Sequence, residues 1–178
     1  MYHNWYKLDP WFGVRMLWHL WHPKSPLAST ALVKAAFFCE RMPMARVQEF
    51  EKVMAPYESY MWPLEMMRPD FVNVKNVLGS IKDWSYGERV LVMAGGEDKL
   101  MGVRLMQQMA SRYRAGYSQL VAETKIDVER EDGGDGSESI DAGQGVRFCV
   151  VAGAGHHLQN DVQWEDGAVK LRDFYEQL

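Results

Sequence analysis

Arg89-Val90-Leu91-Val92-Met93-Ala94-Gly95-Gly96-Glu97-Asp98 is an apolar run that closes on a glycine pair and an acid. Val146-Arg147-Phe148-Cys149-Val150-Val151-Ala152-Gly153-Ala154-Gly155-His156-His157 repeats the plan, with a glycine-flanked histidine in the acid's place. Each stretch predicts a buried strand, at 89–94 and 146–151, with a polar side chain emerging just past its C-terminal end. Open α/β sheets place their chemistry there. An acid and a histidine delivered in this way are two of the three parts of a Ser-His-Asp arrangement.

The flanking patterns are helical. Val103, Met106, Ala110 and Tyr113 share one face of a predicted helix over about 103–113. Trp164, Ala168, Leu171, Tyr175 and Leu178 form an apolar stripe at i, i+4, i+7, i+11 and i+14 on a final helix. Strand, helix, strand, helix predicts a right-handed parallel β-α-β-α unit over residues 85–178. Upstream, residues 27–38 predict a helix that starts near Ser25 or Pro26, and Val47, Phe50 and Met54 mark one face of another over 44–54. Pro56, Pro63 and Pro69 bracket a further short helix containing Tyr60, Trp62 and Met66. No convincing strand falls between 27 and 82, so residues 1–84 are expected to form a helical region. The fold class expected for the whole chain is α/β.

Composition narrows the function classes. A chain of 178 residues with 47% hydrophobic residues can bury a core, and a net charge of −4 gives no electrostatic case for nucleic acid. Two cysteines, Cys39 and Cys149, argue against a disulfide framework, and Cys149 reads as a buried thiol in mid-strand. The first residues lack the basic-then-apolar layout of a signal peptide. Together these favour a cytoplasmic setting. Trp11 to Trp21 is too short to span a bilayer and is interrupted by Arg15 and His19; stable membrane insertion is not expected. Burial inside the protein is preferred there over a helix lying on a membrane surface. The segment 123–145 carries eight acids against two bases, with five glycines and hardly any apolar residues. It predicts a solvated loop, the alternative being a calcium site, although Asp132-Gly133-Gly134-Asp135-Gly136 lacks the EF-hand register.

Asp98 and His156 are the candidate catalytic residues. Adjacent parallel strands lie about 4.8 Å apart, so the two strand ends would bring the side chains together. Asp98 would then accept the Nδ1 proton of His156, fix its tautomer and stabilise the imidazolium. Glu97 adjoins Asp98, and His157 is expected to pack or face solvent. Neither His156, His157 and Asp161 nor His19 and His22 make a complete metal set, so no metal is expected. Gly153-Ala154-Gly155 opens like a dinucleotide fingerprint, but Leu158 stands where its third glycine belongs, and no cofactor is expected.

In these two motifs, Gly95-Gly96-Glu97-Asp98 and Gly153-Ala154-Gly155-His156, the chain resembles the C-terminal part of the α/β-hydrolase superfamily. Members commonly end with a strand, a G-x-x-D acid, a helix, a strand, a G-x-G-H histidine and a last helix. The helical region fits the place where many members insert a cap over the substrate. The resemblance implies hydrolysis of an ester, amide or related bond of a small apolar molecule through an acyl-enzyme. His156 would be general base and then acid, and Asp98 its orienting partner. The family's nucleophile stands on a G-x-S-x-G elbow upstream of the cap, and this sequence has none. Gly116-Tyr117-Ser118 matches half of it, after a helix and between acid and histidine, which is the wrong order for Ser118 to serve.

Two physical consequences follow. A base without a nucleophile or oxyanion donors has little hydrolytic power, so the chain alone is expected to be inactive. Two parallel strands do not make a stable sheet, and strand 89–94 would present a bare edge. The chain is then a truncated hydrolase, or a partner that dimerises or pairs through that edge, or a helical protein that buries the two strands under its own helices. A non-catalytic binding protein derived from the same fold is the alternative function.

Overall fold

The computed structural model describes residues 6–22, 27–55, 73–84, 87–123, 125–126 and 145–178. The expected helix around Tyr60, Trp62 and Met66 lies outside them, as does nearly all of the acidic segment. What they show is a mixed α/β structure built on a small parallel sheet.

Strands β1 (Val90–Gly95) and β2 (Val146–Val151) pair in parallel, in register from Val90 with Val146 to Gly95 with Val151. Both ranges follow the two apolar runs. Alternation across the pleat sends Val92 and Val146 to one face, where they pack with Ala110 of helix α5 (Val103–Ala122). Met93 and Val151 point the other way, against Gly167 of helix α6 (Trp164–Tyr175). The sheet is thus covered on both faces, as parallel strands require. Among the described residues each strand has a single neighbour, which leaves both outer edges open.

Helix α5 runs nine residues beyond its expected end at 113. Its apolar face continues through Gly116, Tyr117 and Leu120, which are buried. That extension packs on helix α4 (Val74–Ser80), whose Leu78 is fully buried with Trp84 and Ile126. Asn73 caps α4 by accepting the Asn76 N–H at 3.2 Å. Glu123, at the end of α5, pairs with Lys125 and Lys75, which draw its carboxyl pKa down to about 2.

Helices α2 (Thr30–Phe37) and α3 (Met44–Val53) form a second cluster in which Val33, Phe38, Met42 and Val47 are buried. The start of α2 falls later than expected, because the Ser29 hydroxyl accepts the Leu32 N–H and caps the helix there. In α3 the expected stripe holds, with Val47 buried and Phe50 and Met54 packed against the cluster.

Two expectations are corrected. Helix α1 (Phe12–Trp18) buries none of its residues, and Trp11, Val14, Leu17, Trp18, Leu20 and Trp21 are all exposed. Its one charge is tied down instead, with Arg15 donating to the buried Asp9 at 3.0 Å. The second correction concerns α6. Its face of Trp164, Leu171, Tyr175 and Leu178 points outward, with Tyr175 73% exposed, and Ala168 is exposed as well. The helix buries Gly167 and Phe174 instead, about 70° around its axis at 100° per residue. The reason is the width of the sheet. Only the residues directly above two strands find a surface to cover, and Phe174 lies under the Arg147 guanidinium of β2.

Candidate active site

The loops that follow β1 and β2 are laced together before any side chain is considered. Gly96 N–H donates to Val151 C=O, and Glu97 N–H to Ala154 C=O, both at 2.8 Å. Such closeness depends on glycine. A side chain at Gly95 would overlap the carbonyls of Ala154 and Gly155, and one at Gly155 would strike the backbone of Phe38 and Cys39. The turns therefore bring residues 98 and 156 to the same place.

There the Asp98 carboxylate and the His156 imidazole meet, with Oδ2 and Nδ1 2.8 Å apart. Asp98 Oδ1 accepts the N–H groups of Leu100 and Met101, each at 2.8 Å. One oxygen therefore anchors the acid to its own turn and the other is left for the histidine. Burial pushes the Asp98 carboxyl up, but the His156 hydrogen bond, the Met101 and Leu100 N–H groups and the histidine's charge together hold it below its ordinary value. Asp98 is then ionised at neutral pH and can only accept, so Nδ1 carries the proton. Nε2 is left with its lone pair, as a general base needs. The acid side chain is 5% exposed and the histidine 32%, so the carboxylate is shielded while the ring stays reachable.

The end of α2 forms the histidine's seat. The Phe37 ring stacks on His156 at 6.1 Å with a 25° tilt, and its carbonyl accepts the His157 N–H at 2.8 Å. His157 turns away from Asp98. Its ring packs among Phe37, Phe38 and Phe50, and its Nδ1 accepts from the Asn160 amide at 3.0 Å. Burial lowers the His157 pKa, and the nearby His156 lowers it further.

Asp161 is the residue that sequence reasoning considered only as a metal ligand. It is 1% exposed, and its Oδ2 accepts the N–H groups of Cys39 at 2.8 Å and Gly155 at 2.7 Å, while Oδ1 accepts that of Val162. Its sequence signal was available, since it is the only acid between His156 and the last helix. Among the described residues no group of three or more His, Cys, Asp or Glu comes together as a metal would require, and Asp161 serves backbone amides.

Ser118 sits on the exposed side of α5 and bonds the Arg114 carbonyl of its own helix at 3.1 Å. Among the described residues no hydroxyl or thiol is hydrogen-bonded to His156. Cys39 is buried and Cys149 half-buried; both are free thiols, with pKa values raised first by burial. A groove of about 180 Å³ is lined by Ala31, Ala35, Phe38, Cys39 and Met44 together with Lys34, Glu40 and Lys99, and neither Asp98 nor His156 lines it. Among the described residues no helix is long and apolar enough to cross a membrane. Comparison of the chain with protein-family models, with curated proteins and with solved structures gives no match.

Proposed function

We propose that this chain is the histidine–acid portion of a serine-type α/β-hydrolase, with residues 1–84 as a cap-like region and 85–178 as the end of the core. The observation that carries the reading is the 2.8 Å contact between Asp98 and His156, made from the C-terminal ends of neighbouring parallel strands. His156 takes the proton of an attacking hydroxyl through Nε2 and returns it to the leaving group, while Asp98 holds the tautomer and stabilises the imidazolium. The nucleophile and the oxyanion donors come from residues outside this chain, brought in by pairing along the open edge of β1. The substrate class is an ester, amide or related bond of a small apolar molecule, as the resemblance of the two strand-end motifs to the α/β-hydrolases implies.

A second reading is a non-catalytic interaction protein derived from the same fold. The lack of any hydroxyl or thiol on His156 among the described residues favours it, as do the outward apolar faces of α1 and α6.

Labelling with a fluorophosphonate probe separates the two. The 178-residue chain is expected to stay unlabelled. A form extended by its own upstream reading frame should contain a strand–G-x-S-x-G–helix segment and should label, with His156→Ala abolishing the signal. An extended, folded form that does not label would remove the hydrolase reading and leave the interaction protein.

A further inference from the structure

The segment after α2 and the loop that presents His156 are far apart in sequence, yet they share one buried carboxylate. Oδ2 of Asp161 accepts from Cys39 N–H and Gly155 N–H at once, across 122 residues in the first case. Two further contacts join the same pieces. His157 N–H donates to Phe37 C=O, and the Phe37 ring stacks on His156. Gly155 fits so closely against Phe38 and Cys39 that a single added carbon would collide with their backbone. Among the described residues Asp161 has no cation among its hydrogen-bond partners; three backbone N–H groups donate to it, and the Cys39 thiol lies against it as well.

We propose that Asp161 is a positioning residue whose carboxylate clamps the end of α2 to the histidine loop, so that the Asp98–His156 pair assembles only when the helical region is docked. The inference rests on the reading of Asp98 and His156 as the working pair. Asp98 is held by its own turn through Leu100 and Met101, and needs no help from Asp161. The histidine loop is tied to the β1 loop before His156, by Glu97 N–H donating to Ala154 C=O. Between Gly153, with φ of +70°, and the short 3₁₀ turn at Leu158–Asn160, the residues on either side of His156 are held by Asp161 and by residues 37–39, through Gly155 N–H to Asp161 and His157 N–H to Phe37 C=O. A buried acceptor that serves two distant amides costs the full desolvation of both when it is removed, so the link is all-or-none in character.

The test is proton NMR of the His156 Nδ1–H, a low-field, slowly exchanging resonance when Asp98 holds it. In Asp161→Ala, folded by far-UV circular dichroism, the resonance should be lost, as in Asp98→Asn. In Asp161→Asn it should persist, because the amide oxygen can still accept both N–H groups. A residue that merely stabilised the fold would lower the melting temperature in both variants and leave the resonance in each. An Asp161→Ala protein with the resonance at its wild-type position and exchange rate overturns the proposal. If that variant does not fold, native-state hydrogen exchange on the unaltered chain decides. The Cys39 and Gly155 amides and the His156 Nδ1–H should open together, with protection matching within about threefold. A Cys39 amide opening roughly tenfold or more faster than the imidazole proton would overturn the clamp. Neither result bears on fluorophosphonate labelling, which judges the hydrolase reading by itself.

Discussion

Asp98 divides its two oxygens between its own turn and the histidine, and that division makes the pair sensitive to acid. Its carboxyl is held below the ordinary value in the folded chain, so the folded state favours the ionised form. The resulting stability is fully present above the unfolded value near 3.8 and is lost as pH falls through the lower, folded one. His157 adds an earlier step. Burial among three phenylalanines depresses its pKa below 6.5, so folding favours neutral imidazole, and stability falls as pH drops from that value towards the folded one. The melting temperature should therefore decline in two stages on acidification, and His157→Phe should remove the first stage while leaving the second. Scanning calorimetry from neutral pH to pH 3 checks this, and an unchanged first stage in the variant would reassign it.

At the scale of elements, the strand ends are fitted to each other through glycine. Gly155→Ala must push back the Phe38–Cys39 backbone, and the cost expected from overpacking is about 1–3 kcal/mol, read as a shift of the denaturation midpoint. Leu171→Gln on α6 should change stability by less than about 0.5 kcal/mol, because Leu171 is already 54% exposed. The contrast explains what the sequence made legible. Apolar runs ending in glycine, interrupted in β2 only by Arg147, defined β1, β2 and the meeting of Asp98 with His156, because strands covered on both faces are apolar along most of their length. Helix periodicity found the faces of α3 and α5 but misread α6, and the aromatic content of Trp11–Trp21 suggested a burial that α1 does not have. Periodicity reports that a face is apolar; it does not report whether anything covers it. Asp161 stands out in sequence as the one acid between His156 and the last helix, but its partners are mainly backbone amides, so no residue type marks what it holds.

Among the described residues, large apolar side chains of the α1 region and of α6 face outward. The open edge of β1, the outer face of α6 and the aromatic surface around α1 are all unpartnered among the described residues. An unpaired strand edge and contiguous exposed apolar residues are features that drive association. The purified chain should therefore self-associate, with an apparent mass in analytical ultracentrifugation that rises with concentration; a strictly monomeric chain at high concentration would count against pairing through β1. The proposed chemistry nevertheless depends on one contact, between Asp98 and His156. The measurement that tests it most directly is the imidazole proton spectrum of the unaltered chain compared with Asp98→Asn and Ser118→Ala. A low-field His156 Nδ1–H resonance that vanishes in Asp98→Asn and survives in Ser118→Ala is the predicted result. A folded chain with no such resonance, or one in which Asp98→Asn leaves it in place, would contradict the dyad.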